Sequence, residues 1–293
     1  MRLLTCLILL ALTSCATRPS EERAGQLRGS FGTYDAEPRL ANGHVDANLL
    51  LSELVELDAR TYNWLIWHGD TDWDDLKTFL PLAKQHHISV WVTLVPPSES
   101  PPKTGKFSEP FRLDYEKWAA QIAALSKDQP NLVAWSIDDF CANRKLFTPV
   151  EVRKMMDIAH AKNPRLAFVP CCYYSDITPV FATNFGSLLD GVLFPYRDES
   201  NGINMDDASH VVAEIQKIKS VMGRSMPVIL DVYATPHSQY LNGSQPPYVR
   251  AVMDAGRSTA DGVLIYCHQG KAASPEKFGI IRDLFHQWAS GSW

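Results

Sequence analysis

What this 293-residue chain lacks closes off several classes of function. No glycine-rich turn follows its first strand-like run at residues 30–34, so the phosphate-cradling loops of nucleotide-binding folds are missing. Its 28 lysines and arginines are outnumbered by 33 aspartates and glutamates and nowhere cluster. That removes the basic footprint a nucleic-acid partner needs. Beyond residue 12 no apolar run approaches the length that crosses a bilayer. Cysteine is sparse, at six, and neither cysteines nor histidines fall at CxxC, HxxxH or HxH spacing. The expectation is therefore no metal and no cofactor.

What is present begins with a leader. Arg2 precedes an apolar run over residues 3–12, broken only by Thr5 and Cys6, and then comes Leu12-Thr13-Ser14-Cys15. A short charged start, an apolar stretch too short to span a membrane and small residues before a cut describe a signal peptide over 1–14. The last four residues resemble the lipobox of bacterial lipoproteins. The resemblance implies that Cys15 is lipidated and becomes the new N-terminus. Since Ala16 is not aspartate, it also implies an anchor in the outer membrane of a bacterial envelope, with the lipid as the only membrane contact. The polar stretch up to Ser30 reads as a tether (15–29), leaving 30–293 as one domain, expected to act as a monomer.

Besides Cys6 and Cys15 there remain Cys141, Cys171, Cys172 and Cys267. An oxidising compartment permits a bridge from Cys141 to Cys171 or Cys172, and buried free thiols are the alternative.

From Gly32 onward one pattern repeats: a short β-branched or aromatic run, a polar loop, then an amphipathic helix. Strands are expected at 30–34, 62–67, 89–94, 132–137, 165–172, 191–196, 227–233 and 262–267. Helices are expected at 46–58, 73–86, 114–126, 149–162, 180–189, 208–222, 248–258 and 275–289. Thr148-Pro149 with Glu151, and Ser274-Pro275-Glu276, carry the cap-then-proline signature of a helix start. Eight such units in one domain-sized stretch predict an α/β fold, a single (β/α)8 TIM barrel.

In such barrels the chemistry collects where the strands end. Those positions here are crowded with polar and aromatic groups: Tyr34 and Asp35, Trp67 and His68, Asp138 and Asp139, Tyr173 and Tyr174, Tyr196, Arg197 and Glu199, Asp231 and Tyr233, Tyr266 and His268. Strand four is the clearest, Val133-Ala134-Trp135-Ser136-Ile137 giving way abruptly to Asp138-Asp139. Strand alternation puts Asp138 on the inner face with Ala134 and Ser136, and Asp139 at the rim. Two adjacent carboxylates at a buried end are costly unless hydrogen-bonded or unless one keeps its proton. One ionised acid beside one protonated acid is what cleavage of a glycosidic bond requires.

Trp135-Ser136-Ile137-Asp138-Asp139-Phe140 resembles the end of strand four in barrel glycoside hydrolases, loosely the family 18 chitinases and the spherulin-4-like glycosidases. Phe194-Pro195-Tyr196-Arg197-Asp198-Glu199 resembles the tyrosine-and-acid ending of strand six in chitinases. This sequence has aspartate where both families have glutamate. The resemblance implies a glycoside hydrolase with Asp139 as general acid, Asp138 as the orienting or stabilising acid, and Tyr196 beside them. A second scheme takes the acid from strand four and a nucleophile, Asp231, from strand seven. Rings at strand ends suit the apolar faces of sugars, so a carbohydrate is the expected partner. Its binding set would be Tyr34, Asp35, Trp67, His68, Tyr173, Tyr174, Arg197, Glu199, Tyr233, Tyr266 and His268. Trp64, Trp91 and Trp135 fall inside strands and read as core. The long loops 95–111 and 234–247 are expected to wall the cleft. The other reading of the same residues is a non-catalytic carbohydrate-binding lipoprotein on a barrel scaffold.

Overall fold

The computed structural model describes residues 19–237 and 239–291; the lipidation site expected at Cys15 lies outside them. The elements run α1 (Pro19–Leu27), β1 (Ser30–Tyr34), α2 (Ala47–Glu56), β2 (Thr61–Ile66), α3 (Asp72–Gln85), β3 (Ser89–Leu94), α4 (Tyr115–Asp128), β4 (Leu132–Ile137) and α5 (Pro149–Lys162). They continue through β5 (Ala167–Phe168), α6 (Pro179–Phe185), β6 (Val192–Tyr196), α7 (Val211–Met222), β7 (Val228–Tyr233), α8 (Pro246–Arg257), β8 (Gly262–Tyr266) and α9 (Pro275–Ser290). The eight strands pair in parallel in the order β5-β4-β3-β2-β1-β8-β7-β6. The sheet closes where Cys171 bridges Leu193, with Leu193 N donating to the Pro170 carbonyl at 3.1 Å and Cys172 N to Leu193 at 2.9 Å. This is the (β/α)8 barrel that the alternation predicts.

β5 is far shorter than the expected 165–172. Pro170 has no N–H to donate, so the ladder to β4 thins to single bonds, Val169 N to Trp135 O (2.9 Å) and Cys171 N to Ile137 O (3.0 Å). Gly32 in β1 is fixed by a close approach, since a Cβ there would meet the Thr61 carbonyl oxygen at 1.6 Å. Thr148 caps α5, accepting from Glu151 N at 3.3 Å, whereas Ser274 makes no side-chain cap at α9.

Two apolar layers hold the fold. Outward-facing strand residues such as Trp64, Trp135 and Phe194 pack under the helices, and Leu65, Trp91, Ala134, Val169, Leu193, Ile229 and Leu264 fill the barrel. All three strand tryptophans are fully buried, as expected. The segment read as a tether is corrected here: residues 19–27 form α1. Its Leu27 is fully buried in the inner-barrel cluster. Arg23 pairs with Asp190 at 2.8 Å, and Gln26 donates to the carbonyls of Val133 (3.1 Å) and Arg165 (2.6 Å). Among the described residues no helix is long and apolar enough to cross a membrane.

Candidate active site

The inward face of the sheet changes character along its length. Among the apolar side chains that fill the barrel lie Asn63, Thr93 and Ser136, buried and polar, with Thr93 Oγ1 donating to Asn63 Oδ1 at 2.8 Å. Above these, at the strand ends, a pocket of about 130 Å³ opens. Four carboxylates line it, Glu99, Asp138, Asp139 and Asp231, together with Trp67, His237 and the rings of Tyr34, Tyr173, Tyr233 and Tyr266.

Asp138 continues β4 by donating its N–H to the Leu94 carbonyl (2.9 Å), which keeps its side chain on the inner face. Its Oδ1 accepts from Asp139 N at 3.0 Å and its Oδ2 from the Tyr34 hydroxyl at 3.2 Å; the Cys171 thiol also hydrogen-bonds to it. Burial, and then the charge of Asp139, push its pKa up to about 6, and these hydrogen bonds hold it from rising further. Asp139 follows in the left-handed region at φ 42°, and its carbonyl caps the next turn.

Glu99 comes from the loop after β3, in a 3-10 turn (Pro97–Glu99). Asn143, in the turn just past Asp139, fixes that loop. Its Nδ2 donates to Ser98 Oγ (2.7 Å) and to the Asp139 carbonyl (2.9 Å), and its Oδ1 accepts from Ser98 N (3.2 Å). One amide thus ties the loop bearing Glu99 to the loop bearing Asp139. Burial, then the charges of Asp138 and Asp139, push the Glu99 carboxyl up to about 8. Asp231 stands deeper in β7, with burial and then Asp138 and Asp35 raising its pKa well above the ordinary value. Its Oδ1 has no hydrogen-bond partner among the described residues.

The rings form a connected wall. Tyr34 and Tyr266 are tilted at 5.1 Å between centroids, Tyr233 meets Tyr266 edge-on at 5.5 Å, and His237 stacks on Tyr233 at 5.2 Å. Tyr173 and Tyr233 meet through their hydroxyls. Behind Tyr173 lies Arg197, its guanidinium 3.9 Å from the ring centroid and its Nε donating to Glu199 Oε1 at 2.7 Å. Glu199 is spent on that pair and on Ser175 N (2.8 Å). Both therefore support the wall from outside.

Of the residues expected at the site, the structure brings Tyr34, Trp67, Asp138, Asp139, Tyr173, Asp231, Tyr233 and Tyr266 into one pocket. Others go elsewhere. Tyr196 has outward parity in β6; its hydroxyl donates to the Asp207 carbonyl (2.9 Å) in the helix–sheet layer, so the catalytic role expected of it is corrected to a structural one. His268 is buried between Thr33 Oγ1 (3.1 Å) and Glu53 Oε2 (3.0 Å) and does not line the pocket. Tyr174 packs against the outer core. Asp35 and His68 pair at 2.6 Å beside the pocket and do not line it. Cys141, Cys171 and Cys172 are free thiols, so the bridge considered from the sequence is not formed. Glu99 and His237 were not singled out by sequence reasoning. Both sit in the two long loops expected to wall the cleft, and loop length was the only signal pointing to them.

The sequence matches no family model and no curated protein. Solved structures do resemble the fold. GH5_18 from Streptomyces cattleya in complex with GlcNAc superposes with a TM-score of 0.65 at 12% identity, over 90% of this chain and 81% of that one. A glucosidase from Croceicoccus marinus gives 0.61 at 13%, over 90% and 68%. An endoglucanase from Pseudomonas stutzeri gives 0.57 at 11%, over 87% and 93%. Identities this low establish the barrel and nothing finer.

Proposed function

We propose that this chain is a glycoside hydrolase that acts as a monomer, lipid-anchored through Cys15 to the bacterial outer membrane. The observation that carries the reading is the convergence of four carboxylates and a wall of rings in one pocket at the C-terminal mouth of the barrel. A binding module needs the rings alone. The barrels it resembles include a glucosidase and an endoglucanase, which supports the same class of chemistry.

The roles follow from where protons rest. Near neutral pH the Asp138 carboxyl, pushed up to about 6, is largely ionised and faces the pocket with the Tyr34 hydroxyl holding it. It supplies the negative charge that stabilises an oxocarbenium-like transition state, or that orients a participating substituent. Glu99, pushed up to about 8, keeps its proton and is the donor to the departing oxygen. This moves the acid role from Asp139, the expectation from the strand-four resemblance, to the loop facing it. Asp139 then acts as the nearby charge that keeps Glu99 protonated. Asp231 forms the floor, its bare Oδ1 available to a sugar hydroxyl.

The test is a screen of the purified chain against aryl glycosides, polysaccharides and peptidoglycan, run beside Asp138→Asn. Turnover by the wild type, and its loss in a variant with an unchanged circular dichroism spectrum, are expected. A protein that binds glycans with no turnover would overturn the reading.

A further inference from the structure

Beside the pocket, β1 ends at Tyr34 and the chain runs on through Asp35-Ala36-Glu37. Asp35 and Ala36 take successive left-handed conformations, at φ 61° and 58°. The result gathers the carboxylates of Asp35 and Glu37 against the imidazole of His68, which lies just past β2. One ligating atom from each lies within 4.8 Å of the other two. The backbone on either side of His68 is held in place, because Trp67 N and Gly69 N both donate to Asp72 Oδ2, at 3.0 and 2.9 Å.

Glu37 is the anomaly. Its side chain is fully buried, yet among the described residues neither carboxyl oxygen meets a donor at full hydrogen-bond geometry. The Tyr62 hydroxyl beside it donates to the Asp35 carbonyl at 3.1 Å and makes only a loose contact with the carboxyl. The Arg39 guanidinium does not answer for it. Arg39 comes no closer than 3.8 Å, and its guanidinium is engaged at 2.8 Å with Asp72 and at 3.1 Å with the Gly43 carbonyl. A buried carboxyl is expensive without well-aligned donors, and here neither oxygen has one in a cluster of metal-ligating side chains.

We propose that Asp35, Glu37 and His68 form a binding site for one divalent first-row transition ion, of the zinc or manganese class. Two carboxylate oxygens and one imidazole nitrogen make a mixed donor set that suits these ions. Calcium and magnesium favour oxygen alone. His68, 34% exposed at its side chain, leaves a route in from solvent. No short sequence spacing marks such a site. Its ligands are an Asp-x-Glu pair on one strand end and a lone histidine from the neighbouring one, and only the barrel joins them.

The proposal stands apart from the glycosidase reading and is tested without activity. The purified chain, stripped with chelator and exchanged out of it, is titrated calorimetrically with Zn²⁺ and Mn²⁺, with Ca²⁺ and Mg²⁺ as controls. Bound Co²⁺ is followed by its visible absorption. One transition ion per chain is expected, raising the melting temperature. Affinity should fall at least tenfold in both Glu37→Gln and His68→Ala, with the cobalt spectrum lost. His68 is partly exposed, so its variant decides the matter if Glu37→Gln does not fold. Binding unchanged in these variants would place the ion elsewhere, at the Cys141 and Cys172 thiols or at Asp198, Asp207 and His210, and would overturn the assignment. So would a wild-type chain that takes up no ion at 100-fold molar excess.

Discussion

The hydroxyl of Tyr34 donates to Oδ2 of Asp138 across 3.2 Å, from the end of β1 to the end of β4 on the inner face of the barrel. A donor to the ionised form pulls the Asp138 pKa down against burial. In Tyr34→Phe that pull is gone, so the pKa rises further above about 6. A hydrogen bond to a charged group contributes about 1.5–3 kcal/mol, which converts to a shift of about one to two pH units. The acidic limb of the kcat/KM profile should move upward by up to that amount. A limb that stays where it was would show that Asp138 is not the group required in its ionised form.

On the proposed function, Glu99 sets the opposite limb. Activity should rise as Asp138 ionises through about 6 and fall as Glu99 loses its proton through about 8, giving a bell between them. Glu99→Gln cannot give up a proton, so kcat should drop about 10²–10⁴-fold and the alkaline limb should vanish. Asp139→Asn should behave differently. It removes one of the charges that hold the Glu99 proton, so the alkaline limb moves to lower pH while turnover persists. If Asp139→Asn abolishes turnover and Glu99→Gln does not, the two roles are reversed.

On the proposed function, the charge of the pocket also chooses among sugars. Among the described residues its lining includes four carboxylates and no lysine or arginine, and Arg197 is committed to Glu199 and the far side of Tyr173. A uronic acid would bring its own carboxylate into this half-enclosed space, and like charges brought together cost several kcal/mol. Neutral aryl glycosides should therefore be cleaved with kcat/KM at least about a hundredfold above the matching uronides. Comparable rates on both would mean that the sugar binds outside the pocket.

The barrel was legible because its signal is repeated: eight runs of buried strand residues, each followed by an amphipathic helix, leave few alternatives. The β4 site was legible for a local reason, since Asp138-Asp139 interrupts an apolar strand and alternation alone says which of the two points inward. Tyr196 misled because the same alternation was not applied to β6, where Leu193 and Pro195 take the inner face and Tyr196 the outer. Glu99 was hidden by its setting. A loop residue has no periodicity to read, and what places it is the Asn143–Ser98 contact between sequence-distant loops. Glu37 was hidden likewise, its partner His68 lying on the neighbouring strand end.

α1 closes the floor of the barrel, and its contribution is measurable. The polar composition of residues 19–27 suggested a tether, but Leu27 is fully buried among Ala134, Ala167, Val169 and Ile229. Truncating such a side chain to alanine leaves a cavity and typically costs about 2–5 kcal/mol. Leu27→Ala should lower the denaturant midpoint accordingly, with an unchanged slope. A fragment beginning at Ser30 should lose more, because Arg23 then leaves Asp190 without its 2.8 Å partner beneath the sheet. A fragment beginning at Pro19 should match one beginning at Cys15. Equal stability of the Ser30 and Pro19 fragments would mean that α1 rests on the barrel without supporting it. In that event the inner-barrel cluster must hold the floor closed on its own.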